Sequence, residues 1–371
     1  MWKNPFTKLY IFFIVYVWFK SFSGAVLPTH YLQQGLSLPI MMGGLVSLFF
    51  GQIVVLLTFK KLSARKSYFL ALLTSILFLL LVIKINSSWQ YYLASALAGA
   101  SMYFYFVFYN IAYFENTPKE KTGRNSALMF SIPTIIGIFA PLLAGVLAQV
   151  SMNLIWVFSF VFFFPVLFSL FYQKDFTISY TIKASLLEIK ATRTLLFIEG
   201  IWEALMFGVI PIYTLYFIKT PLGYGTYLAY LSIIGVLANL LLGKMTDKLQ
   251  KRVIFLYPIT IIMAIITFLF AFVQDNLSWW LILTAAIQLF TPLFWNITTA
   301  MVVDTHSNLR IAIPGRELVL AVGRFLGVFL VLLSFYWEKS PFWIYFVLGG
   351  VLLLFPVVLY WNTKSKRYQY L

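Results

Sequence analysis

Twelve long runs of apolar residues follow one another along the chain, and each is long enough to cross a lipid bilayer. A membrane-spanning helix needs about 20 apolar residues. At 62% hydrophobic and only 10% charged, the 371 residues carry more apolar surface than a soluble core can bury. No run alternates apolar and polar residues as a barrel strand does. The sequence therefore predicts an all-α integral membrane protein with twelve transmembrane helices. The spans, numbered from the N-terminus, lie at about 9–27, 38–58, 68–86, 90–114, 127–149, 154–172, 194–217, 225–242, 253–273, 279–302, 318–337 and 342–361.

The placement of the basic residues predicts how the spans are oriented. Lysine and arginine concentrate on the cytoplasmic side of membrane proteins. If the N-terminus is cytoplasmic, most of the 27 basic residues fall on inner segments, and the outer segments hold only Lys84, Lys219 and Lys339. We therefore expect a multi-pass protein of the cytoplasmic membrane, the inner membrane of the cell, with both termini in the cytoplasm. Because the net charge of +16 is spread over separate loops, no nucleic-acid partner is expected.

A polar segment in the middle divides the chain. We interpret 1–172 as an N-terminal six-helix half, 173–193 as a central cytoplasmic linker and 194–371 as a C-terminal six-helix half. Apolar residues recur at helical spacing within the linker, which indicates a short helix on the inner membrane surface. A flexible linker fits this segment nearly as well.

The two halves are weakly similar to each other. Pro28 in span 1 corresponds to Pro211 in span 7 when the halves are aligned. Six spans per half give both halves the same orientation, so the sequence predicts a parallel repeat. Each proline has a glycine close before it, Gly24 and Gly208, which predicts bends in the outer halves of spans 1 and 7.

The loop between spans 8 and 9 carries a specific motif. It runs from Gly243 to Arg252 and reads Gly-Lys-Met-Thr-Asp-Lys-Leu-Gln-Lys-Arg. Gly243 allows a sharp turn close to a neighbouring helix, and Asp247 can accept hydrogen bonds from a helix N-terminus or an arginine. The motif resembles the loop signature of the major facilitator superfamily. A degraded copy lies between spans 2 and 3, where Lys60 replaces the glycine and Ala64 replaces the aspartate.

In span 5, the segment from Ala140 to Gly145 also resembles an element of antiporters in this family. The resemblance implies a twelve-helix transporter with alternating access, whose site lies between the halves and is lined by spans 1, 4, 7 and 10. It also implies a gate in which Asp247 reaches Arg124 at the inner end of span 5. Glu317, at the start of span 11, would supply the charge that Ala64 lacks. The alternative is a solvated loop that only sets the topology. The predicted gate comprises Gly243, Asp247, Lys248, Arg252, Arg124 and Glu317.

Four charged residues fall inside the spans, where a charge costs about 2.5–3.5 kcal/mol even on insertion scales. Lys20 in span 1 and Glu203 in span 7 lie about 15 Å deep, near the middle of the bilayer. We therefore predict that Lys20 and Glu203 pair and serve in coupling, with a purely structural pair as the alternative. Glu199, one turn from Glu203, lies about 8–10 Å deep, as does Arg324 in span 11. Arg324 could neutralise Glu199, unless Glu199 lies in the cytoplasmic mouth of the cavity.

Uncharged polar and aromatic residues on spans 4 and 10 share faces that suit a substrate cavity. Each of them also fits ordinary interhelical hydrogen bonding or contact. The predicted cavity residues are Tyr103, Phe106, Asn110, Tyr113, Gln288, Trp295, Asn296 and Thr299.

These features predict a secondary active transporter of a small solute. Coupling to H⁺ is expected because Glu203 is the only carboxylate near the middle of the bilayer. Uniport, without a coupling ion, is the alternative. We expect no catalytic residue, cofactor or metal site, since cysteine is absent and only two histidines are present. A monomer surrounded by membrane lipid is expected. Two alternatives remain, a membrane enzyme that acts on lipid-linked substrates through Asp304 and His306, and a non-transporting sensor or scaffold.

Overall fold

The predicted helices are present in a computed structural model of the protein. Twelve helical segments among the described residues are long and apolar enough to cross a membrane, which confirms the predicted spans. The backbone is described for 5–116, 122–248, 252–306, 308–338 and 342–364, and the side chains for the same residues except 5, 122–128, 130, 240–248, 252 and 337–338.

The chain forms two compact units, and spans 5, 7 and 8 contribute residues to both. The division into halves at 172 and 194 stays a prediction. The first unit comprises Met1–Asn116, Ile132–Thr181 and Ile212–Ile233, and the second comprises Thr117–Ser131, Ile182–Pro211 and Ile234–Leu371.

In the first unit, the helices α3 (Leu38–Thr58) and α5 (Ser88–Glu115) cross in backbone contact. A side chain at Gly51 would collide with the carbonyl of Ala96, and one at Gly99 would collide with the carbonyl of Leu48. Small residues allow this approach, which gives close van der Waals contact between helices in lipid. The helices of this unit are α1 (Pro5–Ala25), α2 (Leu27–Gln33), α3 (Leu38–Thr58), α4 (Ala64–Ile83), α5 (Ser88–Glu115), part of α6 (Thr122–Val150), α7 (Met152–Leu170) and parts of α10 (Ile210–Tyr213) and α11 (Pro221–Lys248).

Replacing Gly99 with alanine should destabilise the protein by about 1–3 kcal/mol, because the added methyl group forces α3 and α5 apart. The melting temperature in detergent measures this loss. Gly24→Ala is the matched control, since a Cβ at Gly24 meets no atom within 4 Å. Equal melting temperatures for the two variants would show that the α3–α5 contact tolerates extra volume.

Two short strands also lie in the first unit, although no strand was predicted. Strand β1 (Lys61–Ser63) pairs antiparallel with β2 (Thr177–Ser179), with Leu62 opposite Ile178. The pairing joins the loop between spans 2 and 3 to the segment that follows span 6.

Asp175, just before β2, caps the first turn of α4. Its Oδ1 accepts a hydrogen bond from the backbone N–H of Arg65 at 3.0 Å, and the Arg65 Nε donates to the carbonyl of Gln173 at 3.0 Å. A carboxylate at a helix N-terminus satisfies a free N–H and faces the positive end of the helix dipole. Asp175 thus places a negative charge next to Ala64, the position where the degraded motif lacks its aspartate.

Asp175→Ala should cost about 0.5–2 kcal/mol of stability, since the first turn of α4 loses this acceptor. Asp175→Asn keeps an oxygen for the same hydrogen bond and should lose less. Melting temperatures in detergent compare the two variants with the wild type. If the alanine variant melts as the wild type does, the cap does not contribute to stability.

In the second unit, the predicted helix of the central segment is present as α8 (Ile182–Glu188), which packs on α14 (Leu309–Glu338). A Cβ at Gly315 of α14 would lie 2.6 Å from the carbonyl oxygen of Ser185. Next to this contact lies an apolar core formed by Ile189, Leu196, Val302, Ala312, Val319 and Leu320. The helices of this unit are α8 (Ile182–Glu188), α9 (Arg193–Trp202), part of α10 (Ile210–Tyr213), part of α11 (Pro221–Lys248), α12 (Leu256–Leu269), α13 (Leu277–Thr305), α14 (Leu309–Glu338) and α15 (Phe342–Lys364).

The helices are interrupted near both prolines, as the sequence predicts for spans 1 and 7. In span 1, the break at Val26 separates α1 from α2, and Pro28 lies in the first turn of α2. In span 7, a π-helical turn at Leu205–Val209 follows α9, and the N–H of Ile210 bonds to the carbonyl of Leu205. Pro211 has no N–H to continue the α-helical pattern. The break in span 7 begins at Glu203, the residue that follows α9.

Candidate functional site

Close contact between α9 and α14 builds a buried charged site in the second unit. A Cβ at Gly200 would lie 2.7 Å from the carbonyl oxygen of Leu320, and one at Gly323 would lie 2.8 Å from that of Phe197. Without side chains at these two glycines, the two backbones touch. The contact brings Glu203, three residues after Gly200, beside Arg324, the neighbour of Gly323.

Glu203 and Arg324 form a buried ion pair. The Arg324 Nε donates to Oε2 of Glu203 at 2.6 Å, and Glu203 is 1% exposed. The guanidinium also lies 5.2 Å from the ring centre of Phe207, and this ring stacks on Trp295 with centroids 5.8 Å apart. The hydrogen-bonded geometry and the aromatic face offset part of the cost of burying both charges.

The partner of Glu203 in this structure is Arg324, a pairing that the sequence did not predict. The predicted pair of Lys20 with Glu203 would join residues of the two units and stays a prediction. The prediction rested on depth along each span. Depth does not fix the side of the helix on which a residue lies, and the glycines of α9 and α14 decide that side. Lys20 belongs to the first unit, where its Nζ lies 5.8 Å from the ring centre of Phe78.

Glu199 lies one turn before Glu203 and has no cation in hydrogen-bond contact. It is 1% exposed, and its Oε1 accepts a hydrogen bond from the hydroxyl of Thr298 at 3.2 Å. Its Oε2 has no hydrogen-bond partner among the described residues. Arg324 donates to Glu203 and forms no hydrogen bond with Glu199. The two surroundings predicted for Glu199 stay predictions.

A second buried pair extends the network along α14. The Arg316 Nη1 donates to the adjacent Glu317, and its Nη2 donates to the hydroxyl of Thr299 at 3.1 Å. The Arg316 Nε is buried without a hydrogen-bond partner among the residues described. Glu317 does not lie at the start of the helix, as the sequence predicts, because α14 begins at Leu309 and continues through Pro314 in its second turn. Arg316 and Glu317 therefore both lie inside α14.

The predicted span 10 residues divide between this network and its surroundings. Thr299 accepts from Arg316, and Trp295 stacks on the ring beside Arg324. The Asn296 side-chain amide donates to that of Asn239 at 3.5 Å, and Gln288 is half-buried. The structure thus brings Trp295 and Thr299 to the charged site.

The predicted span 4 residues belong to the first unit and do not share one environment. The hydroxyl of Tyr103 lies 3.0 Å from that of Tyr180, whose own hydroxyl donates to a backbone carbonyl of α3. The hydroxyl of Tyr113 lies 3.1 Å from that of Tyr10 on α1. Phe106 contacts Tyr16 edge-on with centroids 6.0 Å apart. Asn110 is buried, and its Oδ1 has no partner among the described residues.

The predicted gate falls largely outside the described side chains. Those of Arg124, Gly243, Asp247, Lys248 and Arg252 are not among them. The gate contacts, including the role given to Glu317, therefore stay a prediction; within the second unit, Glu317 pairs with Arg316.

His306, a candidate catalytic residue for an enzyme, serves in a contact between helices. Its Nε2 lies 3.1 Å from the hydroxyl of Thr192, which precedes α9. Burial lowers the pKa of His306, while the nearby Glu188 carboxylate acts in the opposite direction. A mainly neutral imidazole at neutral pH suits this hydrogen bond.

The sequence matches a family model, and the fold matches solved structures. The model, described as Major Facilitator Superfamily, matches residues 9–310. A search of curated proteins finds no match. The fold is similar to the human organic anion transporter MFSD10 (TETRAN), with a TM-score of 0.65 and 11% identity over 96% of this chain and 97% of that one. It is similar to a bacterial homologue of the iron transporter ferroportin in its outward-facing state, with a TM-score of 0.68 and 14% identity over 97% and 99%. FucP, a Major Facilitator Superfamily transporter in the outward conformation, gives a TM-score of 0.63 and 11% identity over 97% and 99%.

At these identities the solved structures show the fold alone. The family model covers most of the chain, including the motif between spans 8 and 9. The predicted family and fold are confirmed, and the enzyme alternative is set aside because the family consists of transporters that are typically not enzymes. The chain belongs to the major facilitator superfamily, as a multi-pass secondary transporter of a small molecule.

Proposed function

We propose that this transporter couples the movement of its solute to H⁺ and that Glu199 carries the coupled proton. The observation behind the proposal is the unpartnered Oε2 of a fully buried carboxyl group. The distribution of basic residues supports a cytoplasmic membrane location with both termini in the cytoplasm. In this proposal the loop from Gly243 to Arg252 acts as a gate.

The balance of charge in the second unit favours one protonated carboxyl group. The network among the described residues contains three carboxyl groups and two guanidinium groups, which leaves one uncompensated negative charge when all are ionised. An uncompensated charge in a membrane interior is costly. Glu203 and Glu317 each accept from a guanidinium, whereas Glu199 has only the Thr298 hydroxyl. The proton therefore belongs on Glu199.

Loss of this proton would redistribute the two arginines. Glu199 and Glu203 lie one turn apart on α9, so an ionised Glu199 competes with Glu203 for Arg324. The Arg316 Nε, buried without a partner in the described region, is a second donor available to Glu199. The coupling role predicted for Glu203 thereby passes to Glu199, and Glu203 becomes its competitor.

The position of the helix break connects this competition to movement. Glu203 directly follows the last residue of α9 and precedes the π-helical turn Leu205–Val209 by two residues. A change in the Glu203–Arg324 pair therefore acts on a point where the backbone of span 7 is already interrupted. Such a point can absorb a change in helix direction during alternating access.

Solute flux in proteoliposomes tests the function. A radiolabelled solute, found by thermal-shift screening of purified protein, should accumulate when a pH gradient is imposed, and a protonophore should abolish the accumulation. Accumulation that ignores the protonophore would exclude proton coupling. The absence of any protein-dependent solute flux would favour the sensor or scaffold.

A further inference from the structure

Lys20 places a positive charge inside the first unit without a counter-charge there. It lies in α1, within the segment Phe6–Gln33 that is long and apolar enough to span the membrane. Within the part of the chain that the structure describes, its ammonium group forms no ion pair and no hydrogen bond. The ring of Phe78 at 5.8 Å lies at the outer limit of a cation–π contact. The charge is therefore poorly compensated by the protein.

The acidic residues of the first unit do not supply the missing charge. This unit contains two of them, Glu115 and Asp175. Glu115 is the exposed last residue of α5, and Asp175 caps α4 outside the spans. Neither lies within the membrane interior with Lys20. A bound anion is the remaining source of compensation within this unit.

Hydrogen-bond donors continue from Lys20 between α1, α4 and α5. Tyr16, one turn from Lys20 on α1, stacks on Tyr105 with centroids 3.4 Å apart, and Tyr105 lies 5.7 Å from both Tyr68 and Tyr109. The hydroxyl groups of Tyr68, Tyr105 and Tyr109 are buried and have no partner among the described residues. An unsatisfied buried hydroxyl costs about 1–3 kcal/mol. These three hydroxyl groups are donors without an acceptor in the described region, and the cluster begins at Tyr16, one helical turn from Lys20.

We propose that Lys20 binds the charged group of the transported solute and that this solute is an organic monoanion with an aromatic or other apolar body. This inference rests on the proposed transport function and names its substrate class. One ammonium compensates one negative charge, and the Phe78 ring next to the ammonium group provides apolar contact for the rest of the molecule. The exchangeable proton stays on Glu199 in the second unit, so binding and coupling use different residues.

Thermal shift of the purified full-length protein tests the substrate class. The probes are benzoate, phenylacetate and octanoate, each compared at equal concentration with its neutral amide. We expect at least one anion to raise the melting temperature of the wild type while its amide does not. If no anion does so, or if anion and amide act equally, the proposal is overturned.

Variants of Lys20 test the residue. Lys20→Gln should weaken binding of the stabilising anion by about 10-fold or more, whereas Lys20→Arg should keep it, because the charge is retained. Lys84→Gln, at the exposed end of α4, is the matched control and should bind as the wild type does. Unchanged anion binding by Lys20→Gln would overturn the assignment. Should Lys20→Gln fail to fold, the anion–amide comparison in wild type and Lys20→Arg still decides the class.

The two proposals fail in different measurements. Glu199→Gln lacks the exchangeable proton but retains Lys20, so it should bind the stabilising anion as the wild type does. Loss of proton coupling together with retained anion binding supports both proposals. If the anion binds but its flux is independent of the pH gradient, the coupling proposal fails alone. If a solute other than an anion moves with protons, only the substrate class is overturned.

Discussion

Replacing Glu199 with glutamine should abolish accumulation of the solute against its gradient, while downhill flux and exchange continue. Glutamine keeps the size of the side chain and can still accept from the Thr298 hydroxyl. It carries no exchangeable proton, so the cycle loses its coupling step and not its solute site. The measurement is uptake into proteoliposomes with and without an imposed pH gradient. We expect uptake by Glu199→Gln to stop at equal concentrations inside and outside.

Two comparisons make this result specific. Thr298→Val removes the hydrogen bond to Oε1 but leaves the carboxyl group, so accumulation should persist, with a changed dependence on pH. Melting temperatures near that of the wild type would show that both variants are folded. Gradient-driven accumulation by Glu199→Gln at the wild-type level would contradict the assignment of the proton to Glu199.

Removing Arg324 alone should destabilise the protein far more than removing its pair as a whole. Arg324→Met leaves Glu203 as a buried carboxylate without a cation, and such losses cost about 3–5 kcal/mol. In the double variant Glu203→Leu/Arg324→Met, both charges are gone and apolar groups of similar volume fill the site. We expect the double variant to recover most of the stability and none of the proton coupling.

The melting temperature and the monodispersity of the purified protein measure this difference. The single variant should yield little folded protein, and the double variant should approach the wild type. If Arg324→Met has the same melting temperature as the wild type, the pair with Glu203 is not a stabilising contact. The single variant Glu203→Leu leaves Arg324 as the uncompensated charge. Melting temperatures of both single variants below that of the double variant would therefore also support the pair.

The sequence predicts the spans well because each run of apolar residues must cover the bilayer. It fails at the start of span 11, where Pro314, Arg316 and Glu317 indicate a loop but lie inside α14. The two charges are tolerated there because they bind each other and Thr299. An arginine and a glutamate directly before an apolar run fit a loop and a buried ion pair equally well, so the sequence alone does not decide between them.

The charged residues of the site were found in the sequence, but their pairing was not. Depth along a span follows from residue counting, whereas the side of the helix depends on which helices touch. The close approach of Gly200 and Gly323 determines that contact, and it puts Arg324 beside Glu203. Asp175 could not have been found as the cap of α4, because a pairing of strands distant in sequence brings it there.

The tyrosines of α5 illustrate the same limit. Tyr105 and Tyr109 are spaced by one helical turn, but aromatic residues are 20% of the chain, so this spacing carries little information by itself. Only the contacts with α1 and α4 show that their hydroxyl groups lie together without partners. The predicted cavity residues on span 4 included Tyr103 and Phe106 but not Tyr105 or Tyr109.

Infrared difference spectroscopy of the reconstituted protein tests the location of the proton most directly, and it needs no substrate. A protonated carboxyl group in an apolar site has a carbonyl stretch that an ionised one lacks. We expect the wild type to show this band at neutral pH, Glu203→Leu/Arg324→Met to retain it, and Glu199→Gln to lose it. A protonated-carboxyl band that persists unchanged in Glu199→Gln would contradict the account.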